Sequence, residues 1–404
     1  MMSPLHLSDR ESEMLVNGDP GGYWRYPIVE HVLTYNVHFP PEQLLEEIRT
    51  RLRSLIACYP ATQDRLADHL GVLVGRNPDW IVVGNGTVEL MQLLISGSGL
   101  RLAVPTPSFG IYESAAGPER HVKVPLRPPF FEVDLDELFH VVNSSDLDAA
   151  VIISPNNPTS RAIPRADLVS LAQRLQRKGK KLLLDESFVE FTYEGSSNSL
   201  ESDLNILPNV IVIKSLGKIY GVCGLRLGYM MSSDKLLISA IRGQVPLWNI
   251  NAISEYMLVN VPRYREQFES SCEVVKQERN QLYAQLEAIK GGCALRPDAN
   301  FVFFRLPDQW PDGPALARLV LAQRHILLRH CGSKSMEHGI RYLRIAARSS
   351  RENEDVVSAL LDAAGSMRRS APQRAGNCSG PSCVGVRPGT VSGRLRWPGG
   401  QICG

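Results

Sequence analysis

The stretch IVIKSLGKIYGVCGLRLGYMMS places Lys218 in a Ser- and Gly-containing turn directly after an apolar run, with Ser215 just before it and Arg226 eight residues on. An amine at the carboxyl end of a buried strand lies where ligand crevices form in α/β proteins. Once desolvated, it can condense with an aldehyde. Ser215 and Arg226 would add a hydroxyl and a planar cation, which suit a phosphate. The blander possibility for these residues alone is a surface lysine with an arginine on the next turn.

Other segments carry compatible chemistry. KLLLDESFVEF ends an apolar run on Asp185, and because burying an unpaired carboxylate is costly, it implies a cationic partner or else a helix N-cap. WIVVGNGTVELMQLLI reads strand, glycine turn, helix. Gly86, Thr87 and Val88 open that helix, whose free N–H groups favour a phosphate. Glu89 stands where a dinucleotide fingerprint needs its third glycine, which weighs against a nicotinamide cofactor. VIISPNNPTSRAI puts Asn157 in a turn, and VPTPSFGIYE sets Phe109 and Tyr112 near a strand end, as core or as the wall for a flat ligand.

The elements that must position these groups are legible in outline. Between about Trp80 and Met231 the runs WIVVG, RLAVP, AAVIIS, KLLLDE, NVIVIKS and LGYMMS alternate with helix-length segments. Such runs predict an α/β layer with a mostly parallel sheet. After Trp248 a long helix from about Pro262 to Ile289 precedes ANFVFFRL, HILLRH, IRYLRIAAR and the helix ENEDVVSALLDAA, the pattern of a smaller α+β domain. The expected division is an N-terminal arm over 1–60, packing on the small domain or a partner subunit, a large domain over 61–250 and a small one over 251–366. A tail over 367–404, rich in Gly, Pro, Ser and Arg and lacking Asp and Glu, is expected to be disordered.

Composition narrows the partners. A chain of 404 residues with 44% hydrophobic content can bury a large core, and its formal charge of +2 shows no basic excess for nucleic acid. A small molecule is the better expectation. With no run long and apolar enough to span a membrane and no leader-like start, no membrane partner and a cytoplasmic location are expected. The eight cysteines and nine histidines are scattered without ligand spacing, so no metal site is expected.

The run SLGKIYGVCGLRLGY resembles the S-x-[SG]-K-x-Y-G-x-x-G-x-R-x-G-Y signature of class I/II aminotransferases, in the branch of histidinol-phosphate aminotransferase and threonine-phosphate decarboxylase. The resemblance extends over roughly residues 30 to 365. It implies fold type I, a homodimer, and pyridoxal 5'-phosphate (PLP) carried as a Schiff base on Lys218. DESFVEF resembles the family's D-E-[AS]-[YF]-x-[ED]-F, in which the carboxylate, here Asp185, keeps the pyridine nitrogen protonated so that the ring can accept electrons. By the same resemblance Asn157 would bond the cofactor's phenolic oxygen, Phe109 would stack on its ring with Tyr112 as a nearby wall, and Gly86, Thr87, Val88, Ser215 and Arg226 would hold its phosphate. Tyr59, in RLRSLIACYPAT, resembles a tyrosine that reaches the phosphate from the neighbouring subunit. Arg344, in IRYLRIAAR, would bind the substrate α-carboxylate, with Arg348 a second anion ligand.

Several positions depart from the family pattern. Phe188 replaces a tyrosine that bonds the phenolic oxygen. Ser160 replaces the glycine after NNPT, implying a loop that depends less on positive φ. TYNVHFPPEQLLEEI keeps only Asn36 and the proline entry of the usual substrate loop. QVPLWNINAISEYML resembles PLP domains fused to sugar- or phosphonate-type nucleotidyltransferases, which points to a phosphorylated or phosphonate-bearing amino substrate. Lys218 is expected to act as general base at Cα. Because Arg344 stands at the family's carboxylate position, the resemblance implies an aminotransferase, and transamination is the expected reaction. Decarboxylation of a phosphorylated or phosphonate amino acid is the alternative, if Arg344 or Arg348 takes a distal anion instead.

Overall fold

The computed structural model describes residues 7–17 and 21–370. Its strands are β1 Val29–Glu30, β2 Ile81–Asn85, β3 Leu102–Thr106, β4 His121–Pro125, β5 Ala149–Ile153, β6 Lys181–Asp185, β7 Val210–Lys214, β8 Leu227–Met231, β9 Cys293–Ala294, β10 Phe301–Arg305, β11 Ile326–Leu327, β12 Arg329–His330 and β13 Tyr342–Ala346. A seven-stranded sheet has the order β2-β8-β7-β6-β5-β3-β4. Only β8 runs antiparallel to its neighbours; the other pairs are parallel. Every residue of β3, β5, β7 and β8 is buried, because crossover helices cover both faces. That is why these strands read as unbroken apolar runs.

β4 gives no such signal. It is an edge strand, HVKVP, with only Val124 buried, and polar residues are tolerated where one side faces water. HILLRH, expected as one strand, divides at Leu328. Its first half, β11, pairs in parallel with β1, while its second half, β12, joins the antiparallel sheet β12-β13-β10-β9.

A hydrophobic core under the small sheet binds the N-terminal segment to it: Leu15, Val16, Tyr23 and Val32 pack with Leu316, Val320, Leu327, Ile345 and Leu360. Burying each such side chain contributes roughly 1.5–3 kcal/mol. The long helix spans Arg265–Glu287 after a 3-10 turn. The last helix, Ser350–Ser370, takes in the first four residues of the expected tail; positions 371–404 lie outside the described residues. Among the described residues no helix is long and apolar enough to cross a membrane, and no group of three or more His, Cys, Asp or Glu could hold a metal.

Candidate active site

The parallel strands deliver their loops to one edge, the carboxyl end of the sheet, where α/β folds form crevices. Asp185 ends β6, Ser215 and Lys218 follow β7, Asn157 follows β5, and Phe109 follows β3. Lys218 sits in the short helix Leu216–Ile219. The turn behind it is tight: a Cβ on Gly221, at φ +64, would lie 1.9 Å from the Phe39 carbonyl oxygen and 2.3 Å from that of Asn36. Glycine is required there, since a side chain would clash with backbone at a φ that L residues avoid. The Asn36 N–H donates to the Lys218 carbonyl at 2.9 Å, so the N-terminal segment clamps the turn.

Among the described residues the Lys218 amine has no ion-pair partner and no hydrogen-bond acceptor. Two rings flank it, Phe188 with its centroid 4.2 Å from Nζ and Phe109 at 5.5 Å. Burial, followed by the charges of Arg344 and Arg226, holds its pKa below the ordinary lysine value against the opposing pull of Asp185. An amine so shifted is a better nucleophile and base near neutral pH.

Asp185 is 2% exposed. Its carboxylate accepts from the Tyr112 hydroxyl at 3.1 Å and from the Ser187 N–H at 3.0 Å, and no Lys, Arg or His among the described residues pairs with it. Burial and the Asp185 charge hold the Tyr112 pKa well above the ordinary tyrosine value, so the hydroxyl remains a donor. Tyr112, expected as a wall, thus also orients Asp185.

The phosphate-sized cradle rests on two glycines. Gly86, at φ +73, caps the helix Thr87–Ser98, whose first residues are Thr87 and Val88. A Cβ on Gly86 would lie 2.4 Å from Arg226 Nη2, and one on Gly228 would meet Thr87 at 2.9 Å. Without side chains at both, Arg226 can lie over the helix N-terminus, itself in the left-handed region at φ +58. Free N–H groups, the helix dipole and a guanidinium together favour a phosphate, and Ser215 stands at the same edge. A buried carboxylate with no ion-pair partner among the described residues, an amine of lowered pKa between two rings, and this cradle match the pyridine nitrogen, aldehyde and phosphate of PLP. The residues fit the cofactor.

On the substrate side Arg344 Nη1 donates to Asn157 Oδ1 at 2.9 Å, and Nη2 donates to the Val32 carbonyl. Its Nε has no partner. Burial pushes its pKa down to about 10. Arg344 on β13 is the direct cross-strand partner of Arg329 on β12, and among the described residues neither arginine pairs with a carboxylate. Arg329 was not legible as a site residue, because register, which the sequence does not display, sets it beside Arg344.

Other expected positions lie elsewhere or do something different. Arg348 is engaged by Glu30 at 3.4 Å, Glu352 at 3.1 Å and the Tyr35 hydroxyl at 3.2 Å, so its charge is neutralised within the fold and is not free for an anion. The Asn36 side chain is spent on Ser271 Oγ at 2.8 Å and the His38 N–H at 3.0 Å; only its backbone serves the site. Tyr59, expected to serve the neighbouring subunit, is exposed and stacks on Trp248 at 4.1 Å. Ser160 contradicts the expectation of a loop freed from positive φ: it takes φ +62. Its Oγ accepts from the Ala299 N–H at 2.9 Å and its carbonyl from the Asp298 N–H at 2.8 Å, bonds that offset the left-handed backbone.

Beneath the site, buried Lys214 meets Glu201 at 3.0 Å, Glu190 at 3.2 Å and Glu186 at 3.7 Å. Burial, against the pull of Lys214, pushes Glu186 up to about 7. This network pins the segment that carries Asp185 and Phe188, and an apolar-looking run ending in lysine gave no hint of it.

Fold and site together define a PLP-dependent enzyme of fold type I. The chain belongs to the class I and II aminotransferase family, whose model matches residues 32–360. It is 37% identical over 362 residues to the CMP-5'-(3-aminopropyl)phosphonate synthase of Streptomyces rubellomurinus, covering 90% of this chain and 57% of that protein. The chain therefore spans little more than half of that relative. It is 29% identical to the L-serine phosphate decarboxylase of Sulfurospirillum multivorans, over 76% of this chain and 80% of that one. The solved structure of a decarboxylase from the same organism superposes with TM-score 0.74 at 27% identity, covering 83% of this chain and 95% of that one. The histidinol-phosphate aminotransferase of Clostridium acetobutylicum shares the fold, with TM-score 0.76 at 24% identity over 84% and 100% of the two chains.

Proposed function

We propose that this chain is a PLP-dependent decarboxylase of an α-amino acid that carries a phosphorus oxoanion two atoms from Cα. The observation that carries the reading is the pair Arg329 and Arg344, side by side without a carboxylate. Like charges at directly opposed positions repel, and two guanidiniums offer more than one α-carboxylate requires. The relatives' names support the same chemistry. Restoring CO2 to the amine-bearing carbon of 3-aminopropylphosphonate gives 2-amino-4-phosphonobutanoate, in which two carbons separate Cα from phosphorus; in serine phosphate a carbon and an oxygen do so. The two are isosteres.

When bound, the pyridinium ring supplies an electron sink for the pair left at Cα. Asp185, held by Tyr112, would keep the ring nitrogen protonated, and Phe109 and Phe188 would keep water from the Lys218 amine. The bond that breaks must stand perpendicular to the ring. A distal dianion drawn to Arg329 and Arg344 leaves the α-carboxylate free to take that position and depart as CO2, after which Lys218 returns a proton to Cα.

Transamination has one observation in its favour: the Arg344–Asn157 bond sets the guanidinium beside the cofactor loop, where it could clamp an α-carboxylate and turn the Cα proton towards Lys218. Incubating the holoenzyme with 2-amino-4-phosphonobutanoate and O-phosphoserine, each with a keto acid acceptor present, tests the choice. CO2 and the corresponding amine support the decarboxylase; keto acid without CO2 supports transamination. A dimer is part of the proposal, with Tyr59 reaching the partner's cradle: Ile56, Tyr59, Leu247 and Trp248 are large apolar residues left exposed.

A further inference from the structure

The loop 331–338 between β12 and the turn Gly339–Arg341 lashes the small sheet to the large one. Lys334 Nζ donates to the Ser108 carbonyl at 2.8 Å, and Ser335 Oγ donates to Glu113 Oε2 at 2.7 Å. Ser108 directly precedes Phe109, whose ring is 5.5 Å from the Lys218 amine. The strongest charge acting on Lys334 is Arg344, with Arg329 also repelling it. Glu113, a carboxylate that attracts it, is held by Lys123 at 2.9 Å and by Ser335. Among the described residues Lys334 Nζ is held by a single backbone carbonyl, and the two arginines that repel it pair with no carboxylate. Such a group is stabilised by an anion and by little else nearby.

We infer that Lys334 is the specificity-determining residue for the distal phosphorus oxoanion, exchanging the Ser108 carbonyl for a substrate oxygen. The inference rests on the function proposed above and names the residue that selects its substrate class. Burial, with Arg344 repelling, pushes Lys334 down to about 8, as expected of a cation awaiting a counter-charge. A purely structural strap would hold the loop equally well whatever the substrate tail.

The test compares the holoenzyme with its Lys334→Gln and Lys334→Arg variants. The probes are 2-amino-4-phosphonobutanoate, O-phosphoserine and, without a distal anion, 2-aminopentanoate. Binding is read from the change in visible absorbance of the bound cofactor, and KM and kcat from product. In Lys334→Gln, dissociation constants and KM for both phosphorus compounds should rise about 30-fold or more, with kcat within several-fold and 2-aminopentanoate binding unchanged. Lys334→Arg should recover most of the loss. Wild-type preference between the two compounds identifies phosphonate or phosphate ester as the source of the anion. Unchanged binding in Lys334→Gln, or an equal loss for 2-aminopentanoate, would overturn the inference and leave the proposed function standing. A wild-type enzyme that binds neither phosphorus compound would overturn both.

Discussion

Arg344 Nη1 donates to Asn157 Oδ1 at 2.9 Å, and this bond joins the small antiparallel sheet to the loop at the carboxyl end of the large one. A guanidinium fixed at a second point by the Val32 carbonyl approaches an anion in one orientation. Lysine cannot reproduce that fork. Arg344→Lys is therefore expected to weaken substrate binding about 30-fold or more while cofactor absorbance stays intact, as measured by titrating the holoenzyme with 2-amino-4-phosphonobutanoate.

Asp185 and Tyr112 should differ in their effects. Asp185→Asn removes the charge that would hold the ring nitrogen protonated, and kcat should fall by orders of magnitude with PLP still bound, since the cradle of Gly86, Thr87 and Arg226 is untouched. Tyr112→Phe removes one hydrogen bond, worth about 1 kcal/mol, so its loss should stay near tenfold or below. Equal losses in the two variants would show that orientation, and not charge, is what Asp185 supplies.

Lys334 gives a pH dependence with a definite sign. It binds an anion only while protonated, and burial with Arg344 repelling pushes it down to about 8. Facing it, Glu113 is held by Lys123 and Cys331 is pushed up to about 11, so neither changes charge in that range. The ratio of kcat/KM for O-phosphoserine, whose phosphate monoester has a second pKa of about 6 and is dianionic throughout this range, to that for 2-aminopentanoate cancels the titration of Lys218. It should be level near pH 7 and fall as pH rises through about 8, and Lys334→Arg should keep it level across that range.

Ser160 offers a test of stability away from chemistry. Ser160→Ala keeps the left-handed backbone and loses the bond to the Ala299 N–H, so it should destabilise by about 1–2 kcal/mol. Ser160→Gly loses the same bond but relieves a backbone penalty of about 1–2 kcal/mol, and should be close to neutral. Urea unfolding of the two variants checks the order.

The parallel core of the large sheet was legible because strands buried on both faces have no polar alternation to blur them, as in VIVIK and AAVII. The edge strand HVKVP was not, since its outward residues obey solvent. The site followed the same division. Lys218, Asp185, Gly86 and Arg226 stand in local motifs, where spacing along the chain is itself the geometry. Arg329 and Lys334 reach the site through register and through a loop crossing between sheets, contacts that link distant parts of the chain. Arg348 and Asn36 show the converse: residues of suitable type whose side chains are spent on partners, of which Glu352 lies four residues from Arg348 but Glu30 and Ser271 are brought near only by the folded chain.

Which bond at Cα breaks is decided most directly by isotope. The holoenzyme is given 2-amino-4-phosphonobutanoate carrying deuterium at Cα, and CO2 release is followed beside the isotopic content of the product. Stoichiometric CO2 with the deuterium retained in 3-aminopropylphosphonate is the predicted result. Loss of the deuterium with formation of keto acid and no CO2 would contradict decarboxylation and assign the chain to transamination.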